Sequence, residues 1–291
     1  MMDDELKSYF HVCTDGNRLP WMFQDAEDFR YAVNRLAVGT VVFDVSLLSY
    51  VLMDNHIHLV LRATMQQCRQ FVNSFKKIFG KWIRTKYGVS GHLRDLPTSI
   101  IPIRDKETLL ETIAYIDRNA IVAGYRFLPG EYLWGSARYM FKDRTLRSCS
   151  SVRRISEFKS FELRELIKTH EQLPSNWEVD EHDMIMPCCF LDVDFLEKIF
   201  VSPIKYLYYL SRKLEGKVEM LQGVKAFIPD REMRVITRNL VQERFGTHHV
   251  RQLDFKSKIA IARKLRFDYA STVKQISRML EMDPEALSEF I

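Results

Sequence analysis

Paired cysteines are missing from this chain. Its five cysteines (Cys13, Cys68, Cys149, Cys188 and Cys189) are odd in number and form no Cys-x-x-Cys. That argues against a disulfide frame or a zinc knuckle and fits a reducing, cytoplasmic setting. Long hydrophobic runs are missing too. The most apolar stretch, residues 41–53, is broken by Asp44 and two serines, short of the ~18 residues a membrane span needs, so no membrane partner is expected. The opening Met-Met-Asp-Asp-Glu carries the wrong charge for a secretory leader. Glycine (11) and proline (9) are scarce and no repeat or low-complexity tract appears, which leaves an ordinary globular composition. At 291 residues two domains are expected. The basic excess is mild, with net charge +5 and pI near 8.8. It permits a nucleic-acid partner without requiring one.

The pattern along the chain predicts a strand over 9–14, then a helix capped by Asp25 and running to about Leu36. A long strand over 40–53 follows, paired as a hairpin with the next strand through Asp54-Asn55. A second helix spans 64–87, with Phe71, Phe75, Ile78 and Trp82 on one stripe. After a loop, a short strand over 100–104 leads to a third helix, capped by Asp105 and stopped by Gly124. The order β-α-β-β-α-β plus a helix predicts an α+β, ferredoxin-like antiparallel sheet with an added helix. Three regions are expected: residues 1–140, a connector over 141–190, and a mainly helical part over 191–291.

The second strand of the hairpin carries the chemistry. In Asn55-His56-Ile57-His58-Leu59-Val60-Leu61, alternation points His56, His58 and Val60 to one face and Ile57, Leu59 and Leu61 to the other. Two imidazoles at fixed separation on a strand make half of a metal site. The alternative is two histidines on the wet face of an amphipathic strand. In the third helix, Leu109, Ile113, Ile116 and Ala120 form a core stripe, while Tyr115 and Asn119 stack at i and i+4 on an adjacent face. Packed over His56 and His58, Asn119 could be a third ligand, with the Tyr115 hydroxyl as a nucleophile beside the ion. A hard oxygen beside two imidazoles suits Mg²⁺ or Mn²⁺. The alternative for Tyr115 is a half-buried helical tyrosine.

These residues resemble a family. Met53-Asp54-Asn55-His56-Ile57-His58-Leu59 is similar to the Met-Pro-Asn-His-Val-His-Leu signature of the HUH single-tyrosine transposases, in particular their REP-associated branch. Phe10-His11-Val12-Cys13-Thr14 resembles the opening Tyr-His-Val-Thr strand of that family. The run Tyr115 to Gly124 resembles its Tyr-Ile-x-x-Asn-Pro-Val-Arg-Ala-Gly, and Glu131 to Ser136 its Asp-Tyr-x-Trp-Ser-Ser. The four fragments keep family order and spacing over residues 9–139, about half the chain.

The resemblance implies that His56, His58 and Asn119 hold one divalent metal. It implies that Tyr115 attacks a phosphodiester in structured single-stranded or hairpin DNA, leaving a 5′-phosphotyrosine and a free 3′-hydroxyl that can reverse the step. It also leaves room for a homodimer, because related transposases can place the tyrosine helix of one subunit in the site of another. Two departures stand out: Asp54 where the family has proline, and Ala120-Ile121-Val122 for its Pro-Val-Arg. A domesticated binder of repetitive hairpins that no longer cuts, and an unrelated hydrolase that uses a metal-bound water, are the competing readings.

From Arg69 to Arg94 there are seven basic residues and no acid: Arg69, Lys76, Lys77, Lys81, Arg84, Lys86 and Arg94, interleaved with Phe79, Trp82 and Tyr87. Bases for phosphates and rings for stacking suit single-stranded DNA; a solvated helix face is the plain alternative. Near the end, residues 273–280 resemble the first helix of a helix-turn-helix. The would-be recognition helix, however, carries Glu285 and Glu289 and no basic residue, so a three-helix packing unit fits as well.

Overall fold

The computed structural model describes residues 7–15, 22–88, 93, 96–123, 125, 128–142, 152–212, 228, 230–247, 249–269 and 271–291. Strands β1 (Ser8–Thr14), β2 (Ser46–Met53), β3 (His56–Ala63) and β4 (Thr98–Ile103) form one antiparallel sheet in the order β2-β3-β1-β4. Helices α1 (Ala26–Val42) and α2 (Met65–Tyr87) connect β1 to β2 and β3 to β4. Helix α3 (Lys106–Asp117) follows β4, and a single turn, α4 (Asn119–Val122), continues it after a break at Arg118. The chain is thus α+β, as its pattern predicts.

Side-chain oxygens start the helices. Asp25 accepts from the Asp28 amide, Asp105 from that of Thr108, and Thr64 forms a reciprocal capping box with Gln67. At the far end of α2, Gly88 takes the left-handed conformation (φ 64°), which costs glycine little. One expectation fails. Thr40, Val41 and Val42, read as the start of a long strand, complete α1 instead, and the chain turns only at Asp44 (φ 51°). A β-branched run carries a strand preference of only about 1 kcal/mol or less. The close packing of α1 on α2 outweighs it, and the Thr40 hydroxyl is satisfied by the Ala37 carbonyl at 2.7 Å. Gly124, expected to stop the third helix, lies outside the described residues.

Helices α1 and α2 pack on each other and on the sheet. Helix α3 takes the face bearing His58, Val51 and Ser49, which pair across β2 and β3 or touch α3. Ile57, Leu59 and Leu61 are buried on the reverse face. The two sheet edges differ. Beyond β2, the segment 132–136 runs alongside: the Trp134 carbonyl accepts from the Leu52 amide at 2.9 Å, and the Tyr132 hydroxyl donates to the Leu52 carbonyl at 2.7 Å. At the opposite edge, β4 carries Pro102.

Buried apolar residues fall into two clusters. The first runs from Phe10 to Leu210. It takes in α5 (Ser160–Ile167), β6 (Glu178–Val179), α6 (Val193–Phe200) and α7 (Pro203–Ser211), while β5 (Arg153–Arg154), which pairs with β6, is exposed. By pattern alone α6 and α7 group with the C-terminal helices, yet α7 packs on α3. The second cluster joins α8 (Asp230–Phe245), α9 (Phe255–Asp268), α10 (Val273–Leu280) and α11 (Pro284–Ser288).

Helices α1 and α2 approach closely at Gly39, where an added Cβ would lie 2.6 Å from Cε2 of the buried Phe71 ring. Gly39→Ala should gain about 1 kcal/mol of helix propensity but lose about 1–3 kcal/mol to overpacking. The expected result is a lower urea midpoint; a higher one would show that the ring has room to move.

Candidate metal and tyrosine site

Strand β3 sets His56 and His58 two residues apart on the face that α3 covers, with their rings edge-to-face at 4.9 Å between centroids. The Tyr115 ring stands edge-on to His58 at 5.4 Å and to His11 of β1 at 6.1 Å. It is 40% exposed. Asn119 is buried and hydrogen-bonds His56. The two histidines, the tyrosine and the asparagine singled out in the sequence thus meet in one place, although the break at Arg118 falls between Tyr115 and Asn119.

Both imidazoles are held neutral, the form that ligates a metal. Burial pulls His56 down to about 4 against the hydrogen bond to Asn119. Burial, then the neighbouring His56 and His11, pulls His58 down to about 2. His56 Nδ1 lies 2.8 Å from the Asn55 side-chain oxygen. That contact orients the ring, the usual role of a partner behind a ligating histidine. Asp54 stands where the resembled motif has proline. Its carboxylate lies 3.8 Å from Arg234 of α8 and hydrogen-bonds Tyr125.

Beside the histidines is a cavity of about 410 Å³ walled by Asp54, Asn55 and Tyr125 and, from the C-terminal helices, by Asp230 and Arg278. Arg278 grips Asp230 through two hydrogen bonds of 2.7 and 3.0 Å. Residues 230–278 therefore supply part of the wall, which no local motif announced.

The basic residues sort differently. Arg69, Lys77, Lys81 and Arg84 are exposed on α2, which packs on the sheet away from α3. Lys76 donates to the Leu96 carbonyl at 2.6 Å. Lys86 is tied to Asp25, Glu27 and Asp28 at 2.8–3.0 Å, so its charge is matched within the fold. Arg94 lies outside the described residues.

Three residues that the sequence reading passed over complete the neighbourhood. His11 and Cys13 lie on β1 beside His58. Asp117 anchors the tyrosine helix: its carboxylate accepts from Tyr206 of α7 at 2.7 Å and lies 3.1 Å from the hydroxyls of Ser49 on β2 and of Ser136. Burial raises its pKa to about 6, against the pull of those three hydroxyls. A polar residue at the edge of an apolar stripe signals nothing until the strand and α7 meet it.

Asp117→Ala would leave the buried Tyr206 hydroxyl without its acceptor, while Ser49 and Ser136 keep each other and the Tyr50 backbone, at a cost of about 1–3 kcal/mol. Asp117→Asn keeps an acceptor and should lose less than half of that. Equilibrium urea unfolding of the two variants checks the order, and equal losses would show that the Tyr206 hydroxyl finds another partner.

No family model, no curated protein and no solved structure matches the chain. The reading of this site accordingly rests on its geometry and on the motif resemblance set out above.

Proposed function

We propose that this protein cleaves and rejoins structured single-stranded DNA, with Tyr115 as nucleophile and a divalent metal held by His56, His58 and Asn119. The observation that carries the reading is the convergence on one sheet face of a partly exposed tyrosine, two neutral imidazoles and a buried asparagine. The strand order and its two connecting helices support a ferredoxin-like core of the HUH transposase kind.

The donor set fits Mg²⁺ or Mn²⁺. Two neutral imidazoles and an amide side chain lie together, and Asn55 orients the His56 ring. A bound ion would polarise the scissile phosphodiester and offset charge growing on its oxygens. The Tyr115 oxygen attacks phosphorus as the phenol gives up its proton. The new bond links tyrosine to the 5′-phosphate; the bond to the 3′-oxygen breaks, and that oxygen leaves as a hydroxyl. A 3′-hydroxyl attacking the same phosphorus reverses the step. Tyrosine then departs readily because a phenolate is a better leaving group than an alkoxide. The exposed basic residues of α2 would hold DNA on the reverse side of the sheet, and Asp230 and Arg278 would border the strand entering the cavity.

Labelled hairpin oligonucleotides from repeats flanking the gene, incubated with the full-length protein and Mn²⁺ or Mg²⁺, should yield a protein-linked band on a denaturing gel. Tyr115→Phe and His56→Ala should each abolish it. Binding without adduct or cleavage on the cognate repeat would favour the non-cutting binder. Cleavage surviving Tyr115→Phe would favour a water-using hydrolase.

A further inference from the structure

His11 and Cys13 play no part in the donor set above, yet they are built into the same rigid surface. Strand β1 pairs with β3 so that Cys13 faces His58 and His11 faces Val60. Residues opposite one another on paired strands share a face, so His11, Cys13 and His58 all rise from one side of the sheet. One ligand atom from each lies within 4.8 Å of the other two. His11 Nε2 and His58 Nδ1 are 3.0 Å apart, with their rings stacked. For bonds of about 2.0 Å to nitrogen and 2.3 Å to sulfur, the donors around one tetrahedral ion stand roughly 3.3–3.6 Å apart. The two imidazole nitrogens would open by about 0.3 Å and the farther donors close by up to about 1.5 Å to meet those separations. Strand β1 is hydrogen-bonded to β3 on one side and β4 on the other, so the frame is fixed before any ion arrives. Ser99 of β4 hydrogen-bonds Cys13, an outer contact of the kind that orients a ligating group.

We propose that His11, Cys13 and His58 form a second donor set for a borderline-soft transition ion, Zn²⁺ in type, with a fourth position left open. Sulfur with two imidazoles selects such an ion over Mg²⁺ or Mn²⁺. Ligation exchanges the thiol proton of Cys13 for the metal and releases that proton to solvent. Three protein donors and one open position describe a reactive site, whereas a structural zinc takes four. The two sets share His58, whose neutral ring offers one lone pair and so serves one ion at a time; the Cys13 thiolate belongs to this set alone and reports on it whether or not Tyr115 cuts DNA.

Cobalt(II) added to the full-length protein should produce a thiolate-to-cobalt charge-transfer band in the near ultraviolet. The band should be lost in Cys13→Ser and His11→Ala, retained in Asn119→Ala and Cys188→Ser, and bleached by Zn²⁺. Cys13→Ser should weaken Zn²⁺ binding by more than about tenfold, the scale on which even outer partners act. If that variant does not fold, alkylation of the unmodified protein decides: Zn²⁺ should shield Cys13, read by peptide mass spectrometry. Absence of the band in folded protein, its survival in Cys13→Ser, or alkylation of Cys13 at an unchanged rate would overturn the assignment. Failure to form a DNA adduct would overturn only the strand-transfer reading.

Discussion

The buried carboxylate of Asp117 decides where the tyrosine helix sits. A helix lying on a sheet by apolar contact alone can slide or roll at little cost, since dispersion has no direction. Hydrogen bonds do have direction, and Asp117 receives them from three parts of the chain: β2, the segment after α4, and α7. Leaving any of these groups unpaired in the interior costs more than a made bond gains. Small rotations of α3 are therefore resisted, and Tyr115 and Asn119, two residues to either side of Asp117, are held to the histidine face. The rest of the site inherits that constraint.

Around this anchor the sheet acts as a fixed grid. Alternation along β3 and its register with β1 bring four donor-bearing residues, His11, Cys13, His56 and His58, onto neighbouring points of one face. Burial keeps the histidines uncharged, so they repel neither one another nor a cation. The hard set, ending in the Asn119 amide, and the softer set, ending in the Cys13 thiol, share His58 and diverge from it. That divergence reflects two different neighbouring elements, a helix on one side and a strand on the other.

Much of this was legible in the chain. Period-2 alternation around His56 and His58 and the Asp25, Thr64 and Asp105 caps are local signals that the structure keeps; the helix expected to carry both Tyr115 and Asn119 ends instead at Asp117, and it is across the break at Arg118 that both residues reach the histidines. What was not legible is relational. That Thr40–Val42 would stay helical depends on Gly39 meeting Phe71 of another helix. That Lys86 would be matched depends on three acids some sixty residues earlier. His11 and Cys13 gain meaning only from their pairing with β3. Asp230 and Arg278 reach the cavity from the far end of the chain.

The two borders of the sheet carry a consequence for assembly. Backbone groups of β2 that would otherwise face outward are engaged by Tyr132 and Trp134, and β4 presents a proline, which offers no amide hydrogen, within its six residues. A continuous row of free donors and acceptors is what lets one sheet extend into another. With one row occupied and the other interrupted, two copies of this chain are discouraged from merging into a single eight-stranded sheet. Contact through side-chain surfaces would leave the strand register that positions the histidines untouched.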